Sequence, residues 1–313
     1  MLNLKWNERK KAVIRVRAKI LDAARTWFKE HNFTEVQGPI LIPAIGDWPN
    51  YFEVKYYDKK AYLTQGLGPY AQILMANLGK IYTIAPAFRK EKRITNRHLT
   101  EYWQIEAEIP NGDLNDIIKT QEQLITHICQ TIYREAQEEL KNLPRNPKEL
   151  KRIRPPFPKI TYDEAIEILQ KHGYNIQWGM TLEWEHEKYL SLQTQKPLFI
   201  TEYPINPETY FYKTHPIKPA TTLTTDLLAP EGYGELSTGG QPTTQKKELL
   251  KKMKQENITT QEQKWYIKLA ESQITYAGFG IGLERIIQWI CKLKEIKETI
   301  IFPRTLTELS VIL

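Results

Sequence analysis

The chain has 313 residues, 41% of them hydrophobic and 26% charged, with a formal net charge of +7 and a pI near 9.1. This length and apolar content allow one large domain or two small ones with a sizeable core. No run of about 18 apolar residues occurs, and the charged N-terminus lacks the apolar stretch of a signal peptide, so we expect a cytoplasmic protein with no membrane partner. The positive charge permits an anionic partner but does not by itself establish RNA binding.

The N-terminal half predicts a helix, a series of strands and a second long helix. Residues 8–32 form a basic amphipathic pattern with an apolar stripe at Val13, Val16, Ile20, Ala23, Ala24, Trp27 and Phe28. Alternating, β-branched and aromatic segments predict strands at 35–42, 51–57, 61–64, 80–85 and 102–109. Residues 113–141 predict a long helix, for which Asp113 is a suitable N-cap.

The C-terminal half predicts further strands and short helices. Several prolines make residues 142–159 a connector, and 160–195 predict two short helices. The remaining predicted elements are strands at 198–203, 209–213, 221–228 and 234–238 and a polar helical hairpin at 243–272. Helices beside a mainly antiparallel sheet give an α+β fold class. Cys129 and Cys291 lie in apolar helical contexts, which predicts buried free thiols.

Residues 86–108 (PAFRKEKRITNRHLTEYWQIEAE) carry the most informative pattern. Two predicted strands are joined by a basic loop that holds Arg89, Arg97 and His98 beside the acceptors Glu91 and Glu101. Arginine offers bidentate, permanently charged donors to phosphate oxygens. The segment therefore predicts a cradle for a polyphosphate, with a solvated basic hairpin as the alternative when it is considered alone.

A second segment, residues 277–304 (AGFGIGLERIIQWICKLKEIKETIIFPR), has alternate glycines before a helix that starts near Leu283. Together the two segments resemble motifs 2 and 3 of the class II (subclass IIb) aminoacyl-tRNA synthetases, and Asp226–Gln241 is similar to the asparaginyl branch of the asparaginyl/aspartyl subgroup. The resemblance covers most of residues 8–304 and implies a six- or seven-stranded antiparallel sheet flanked by helices. The helix near Arg9–His31 and the strand reaching Pro39 resemble motif 1, which implies a homodimer.

The resemblance assigns an ATP-binding half to the site. The residues implied to contact the phosphates and adenine of ATP are Arg89, Glu91, His98, Tyr102, Glu235 and Arg285. Of these, Arg89, His98 and Arg285 are implied to lie at the reacting centre. Glu235 and the hydroxyl of Thr238 stand where the family binds Mg²⁺, an ion that favours oxygen ligands. The implied cofactors are ATP and Mg²⁺, and the implied step is attack of a carboxylate on the α-phosphorus with loss of pyrophosphate.

The amino-acid half departs from the family pattern. The residues implied to contact the acid are Asp47, Trp48, Gln65, Gly68, Tyr70, Ala71, Gln104, Gln241 and Pro242. Gly68 replaces a glutamine, Ala71 stands where aspartyl enzymes have lysine, and Pro242 replaces the arginine that grips the substrate side chain. We therefore expect asparagine to be a poor substrate, and a larger or less polar acid to suit the pocket better.

We expect residues 1–313 to form a single catalytic domain with helical insertions near 142–195 and 243–272 and no N-terminal OB-type anticodon-binding barrel. The favoured hypothesis is a ligase that adenylates an amino or carboxylic acid and passes it to a nucleophile without tRNA. An asparagine synthetase related to asparaginyl-tRNA synthetase is the nearest precedent. The alternatives are a truncated asparaginyl-type synthetase that acts on tRNA, with or without a separate RNA-binding partner, and a non-catalytic nucleotide-binding paralog.

Overall fold

An eight-stranded sheet forms the centre of the molecule. The computed structural model describes residues 6–43, 50–68, 70–259, 263–272 and 274–309. Within these ranges the strands are β1 (Thr34–Glu35), β2 (Leu41–Ile42), β3 (Glu53–Tyr56), β4 (Lys59–Leu63), β5 (Ile81–Phe88), β6 (Glu101–Pro110), β7 (Lys159–Thr161), β8 (Leu198–Thr201), β9 (Thr224–Ala229), β10 (Gly234–Gly240) and β11 (Tyr276–Gly282).

The strand order in the large sheet is β1-β5-β6-β11-β10-β9-β8-β7. All pairs from β5 to β8 are antiparallel, whereas β1 joins β5 and β7 joins β8 in parallel at the two edges. The α+β class with a mainly antiparallel sheet is therefore confirmed. The expected count of six or seven strands was too low, because the two short parallel strands extend the sheet at both edges.

Helices cover the sheet and close its ends. The described helices are α1 (Glu8–Glu30), α2 (Tyr70–Leu78), α3 (Leu114–Glu135), α4 (Gln137–Leu140), α5 (Pro147–Lys151), α6 (Tyr162–Lys171), α7 (Trp184–Leu192), α8 (Lys246–Gln255), α9 (Lys264–Glu271) and α10 (Leu283–Ile290), with a 3₁₀ helix at Ile296–Thr299. In the described ranges no helix is both long enough and apolar enough to cross a membrane.

The apolar stripe of α1 packs inside the molecule. Val16, Ile20 and Phe28 are fully buried in the main core, together with side chains of α3 and α10. The part of the motif 1 prediction that places the subunit interface on this stripe is therefore wrong, because a single chain already buries the stripe. The homodimer stays a prediction that needs another surface.

Local signals fixed some elements and missed others. Asp113 caps α3 by accepting from the backbone N–H groups of Asn115 and Asp116, as predicted, although the helix is interrupted at Ala136. The strand predicted at 209–213 is absent; a turn there makes one isolated bridge, between Tyr212 and Pro242. The glycine-rich stretch before Leu283 is instead a central strand, β11, because tertiary pairing on both sides overrides the low strand preference of glycine. Both cysteines are buried and free, as predicted.

Candidate active site

A cavity of about 990 Å³ opens over one face of the sheet, where alternate residues of β6, β10 and β11 point into it. Most of the predicted ATP-binding residues line this one cavity: Arg89, Glu91, His98, Tyr102, Glu235, Thr238 and Arg285. They come from the loop between β5 and β6, from β6 itself, from β10 and from the first turn of α10. Residues almost 200 positions apart in the chain are therefore brought into one site.

Arg285 and Glu235 form the central ion pair of this half. Arg285 Nη1 lies 2.7 Å from Glu235 Oε1, and Thr238 Oγ1 lies 3.3 Å from the same oxygen. Burial opposes ionisation of Glu235, but the positive charges of Arg285 and Arg97 outweigh it and lower the pKa of the carboxyl. Burial likewise opposes the charge on Arg285, and Glu235 more than compensates, so its pKa is raised. Both groups stay charged.

Arg97 is engaged with protein groups of the site rather than available as a donor to phosphate. Its Nη1 donates to Glu187 Oε2 at 2.9 Å, its Nη2 donates to the backbone oxygen of Glu235 at 2.6 Å, and its guanidinium lies over the ring of Trp184. The prediction that Arg97 is a phosphate donor needs correction, because both of its terminal nitrogens are already engaged. Arg97 holds the β10 backbone in place beside Arg285.

His98 is a neutral imidazole in this arrangement. Burial, followed by the nearby charges of Arg285, Arg97 and Arg89, lowers its pKa to about 4. Its Nδ1 lies 2.6 Å from Thr95 Oγ1, and its Nε2 faces Arg285 Nη2 at 3.5 Å. Unlike the arginines of the same loop, His98 is therefore not a fixed positive charge. It is a polar group whose charge depends on what binds beside it.

Oxygen donors suited to Mg²⁺ gather around β9 and β10. Asp226 pairs with Thr238 across these strands, and its carboxyl interacts with Thr238 and with Tyr203. Burial, reinforced by the charge of Glu235, raises the pKa of Asp226 to about 8. Among the described residues no three acidic, His or Cys side chains are gathered as a ready metal centre. Mg²⁺ commonly takes one or two carboxylates together with substrate phosphates, so this donor set fits the ion only with ATP present.

The structure divides the predicted acid-binding residues. Gln65, Gly68, Tyr70, Gln104 and Pro242 line the main cavity. Two others lie elsewhere. Ala71 is buried in the cluster beneath α2, and Gln241 borders a separate cavity beside Lys213 and His215. Neither residue lines the main cavity, and a role for either in binding the acid stays a prediction. Asp47 and Trp48 lie outside the described residues.

Two carboxyls in this half were missed by sequence reasoning. Glu106 and Glu108 follow Tyr102 and Gln104 at intervals of two along β6, so all four side chains face the cavity. Glu106 accepts from the backbone N–H of Leu67 at 3.1 Å, and burial raises its pKa to about 7. Burial and the nearby Glu106 raise the pKa of Glu108 to about 8. The period of two in TEYWQIEAE was the signal that could have found them. The acid half is therefore more acidic, rather than less polar, than expected.

Comparisons with known proteins agree with this geometry. A family profile described as tRNA synthetases class II (D, K and N) matches residues 1–306. The chain is 37% identical over 296 residues to the asparagine–tRNA ligase of Pyrococcus furiosus, covering 94% of this chain and 68% of that protein. It is also 37% identical over 300 residues to the asparagine–tRNA ligase of Desulforamulus reducens, covering 95% of this chain and 70% of that protein. Its structure is similar, with a TM-score of 0.91 and 36% identity, to Pyrococcus horikoshii asparaginyl-tRNA synthetase complexed with asparaginyl-adenylate, over 96% of this chain and 70% of that chain.

Proposed function

The chain belongs to the class II tRNA synthetases of the D, K and N group, and from this premise we propose that it activates an amino acid as an acyl-adenylate and transfers the acyl group to a tRNA. It is an ATP-dependent ligase of the adenylate-forming type. The observation that carries the proposal is the single cavity that joins Arg89, Glu235 and Arg285 to a separate acid-binding half.

The adenylation step needs positioning and charge neutralisation. A carboxylate oxygen of the amino acid attacks the α-phosphorus, the bond to the β-phosphate oxygen breaks, and pyrophosphate leaves with the electron pair. No protein base is required, because the nucleophile is already ionised. Arg89 would bind the α-phosphate, and Arg285, fixed by Glu235, would meet the departing phosphates.

Tyr102 and Glu91 complete the proposed nucleotide pocket. Tyr102 would stack on adenine and Glu91 would contact the base edge, since both line the cavity beside Arg89 and Arg285. Burial raises the pKa of Glu91 against the opposing charges of these two arginines. When Mg²⁺ is bound, Glu235, Thr238 and Asp226 would hold it, and it would neutralise phosphate charge.

The acceptor distinguishes the two catalytic hypotheses. The named relatives are asparagine–tRNA ligases, which supports transfer to tRNA more than the tRNA-independent transfer expected from the sequence. The acid is a separate question, because Pro242 and the carboxyls Glu106 and Glu108 line the acid half. A non-catalytic paralog is less consistent with the paired Arg285 and Glu235 in the cavity.

ATP–pyrophosphate exchange measured against a panel of amino and carboxylic acids tests the activation step. We expect exchange that depends on Mg²⁺ and on at least one acid. Parallel assays with total tRNA and with ammonia then identify the acceptor. If none of the acids supported exchange, the proposed adenylation would be contradicted. Acyl transfer to ammonia without charging of tRNA would instead support the tRNA-independent hypothesis.

A further inference from the structure

The acid half of the cavity extends beyond Gln104 into a side chamber, which we define by Glu108, Tyr210, Tyr212, Gln263, Trp265 and Tyr276. These residues come from β6, the turn near 210, the start of α9 and β11, and all of them line the same cavity as the ATP-binding residues. The chamber is therefore continuous with the space that the ATP-binding residues line.

Glu108 is the ionisable group that lines this chamber. Its side chain lies against the backbone of β11, so a Cβ built on Gly278 would come within 2.0 Å of Glu108 Oε2. A side chain at 278 would therefore displace the carboxyl of Glu108 from this position. Tyr212, Tyr266 and Tyr276 surround the carboxyl closely enough for its charge to act on each hydroxyl.

Several polar atoms in the chamber have no partner among the described residues. Glu108 Oε2, Tyr210 Oη, Gln263 Oε1 and Trp265 Nε1 are buried and make no hydrogen bond. Tyr210 and Gln263 are only 4% and 5% exposed. Buried polar groups are normally paired, so the unpaired oxygens of Glu108, Tyr210 and Gln263, all of which can accept, indicate a bound donor group.

The chamber has no described positive charge of its own. The cationic side chains lining the cavity are Arg89, Arg97 and Arg285, and all three belong to the ATP half. The nearby buried Lys252 on α8 is paired with Glu248 at 2.7 Å and also donates to the backbone oxygen of Tyr212.

We propose that Glu108 binds an ammonium group at the end of the substrate side chain, so that the acid activated is a basic amino acid. This inference rests on the proposed adenylation and names its substrate class. An ammonium group would supply the positive charge and the donors that the carboxyl and the acceptors lack. The surrounding tyrosine and tryptophan rings would add cation–π attraction. Pro242, which provides neither charge nor donor, leaves the carboxyl free for the substrate.

The test is ATP–pyrophosphate exchange with lysine, ornithine and 2,4-diaminobutyrate beside norleucine, asparagine and aspartate. Norleucine is the matched comparison, because it has the length of lysine without the ammonium group. We expect the best basic acid to exceed norleucine by at least about 100-fold in kcat/KM, since sites built for a polar group reject analogues that lack it. Glu108→Gln should lower kcat/KM for the basic acid by about 100-fold and leave ATP affinity and the rate with norleucine nearly unchanged.

Two further variants separate recognition from folding. Tyr210→Phe keeps the buried ring and removes an unpaired hydroxyl, so we expect a several-fold higher KM for the basic acid with an unchanged melting temperature. Glu167→Gln, an exposed carboxyl on α6, should change nothing. Preference for asparagine, aspartate or norleucine would overturn this inference and leave adenylation intact, whereas exchange with none of the acids would overturn both.

Discussion

At the scale of single residues, the two halves of the cavity differ in how their charges are paired. In the ATP half, Arg285 and Arg97 each contact a carboxylate within 3 Å. In the acid half, Glu108 has a fully buried oxygen with no partner. A paired ion keeps its charge in a buried setting, while an unpaired carboxyl takes up a proton. The first half is therefore preorganised for phosphate, and the second depends on its ligand.

Removing Arg89 should abolish adenylate formation without unfolding the protein. Arg89→Ala deletes the group assigned to the α-phosphate, and loss of one such stabilising donor costs on the order of 10²–10³ in rate. We expect pyrophosphate exchange to fall by at least that factor while circular dichroism is unchanged. Arg93→Ala, in the exposed part of the same loop, is the matched control. Near-native exchange by Arg89→Ala would show that Arg89 is not at the reacting phosphate.

The carboxyl of Glu108 should make the free protein less stable as the pH rises. Its pKa is raised to about 8 in the folded state, so between about pH 4.5 and 8 the unfolded chain loses a proton that the native state retains. Stability from this group is complete below that window and is lost through it. Glu106 acts in the same direction with a pKa of about 7. Burial raises the pKa of Tyr212, Tyr266 and Tyr276, so these neighbours stay neutral throughout.

Glu108→Gln should remove this pH dependence. We expect the variant to gain stability over the wild type at pH 8 relative to pH 5, by at most on the order of 4 kcal/mol. Urea denaturation at the two pH values measures the difference, with Glu167→Gln as the control. An equal effect of Glu108→Gln at both pH values would mean that Glu108 ionises normally in the native state.

At the scale of secondary-structure elements, a buried ion pair joins α1 to the helix that carries Arg285. Glu284 Oε1 accepts from Arg17 Nη1 at 2.6 Å, and Glu284 Oε2 accepts from the backbone N–H of Trp103 at 2.9 Å. Glu284 is 1% exposed. One side chain thus fixes α10 against both α1 and β6, and it sets the position of the neighbouring Arg285.

Breaking this junction should cost both stability and activity. Glu284→Ala leaves Arg17 buried without its partner and the N–H of Trp103 without an acceptor, which should lower the free energy of unfolding by about 3–5 kcal/mol. Chemical denaturation measures the loss, and exchange kinetics at low temperature should show a raised KM for ATP. Glu138→Gln, at an exposed ion pair with Lys141, should leave both measurements unchanged. A loss below about 1 kcal/mol for Glu284→Ala would contradict the junction.

At the scale of the whole molecule, the surface available for self-association is not the helix that the sequence suggested. The apolar stripe of α1 is buried in the core. In contrast, Ile40 and Leu41 remain 45% and 43% exposed in the segment at the start of β2. This segment follows the strand near Pro39 that resembles the family's dimer motif. We therefore place the predicted interface there.

A dimer built on this segment should dissociate when a charge is introduced. We expect light scattering at micromolar concentration to give the mass of two chains for the wild type and of one chain for Leu41→Glu. Ile217→Glu, at another exposed apolar side chain, should remain dimeric. A monomeric wild-type protein would contradict the prediction.

Much of the site could be predicted because short segments carry it. The β5–β6 hairpin and the glycine-rich approach to α10 contain most of the ATP-binding residues within continuous motifs, whose residue types are dictated by phosphate chemistry. The helix α3 could be bounded from Asp113, because an N-cap acts within one turn. That Ala71 and Gln241 lie outside the main cavity could not be read from the sequence, because a shift of one residue decides which way a side chain points.

By itself, the sequence determined the fold class and the family and predicted the ATP-binding half, since these depend on local patterns and on residue chemistry. The tertiary structure alone decided which charges are paired. Arg97 is paired with Glu187, His98 is kept neutral by burial and by the arginines around it, and one carboxyl oxygen of Glu108 is buried without a partner. Pairing and burial depend on groups far apart in the chain, and the pKa and availability of each side chain follow from those neighbours rather than from its position in a motif.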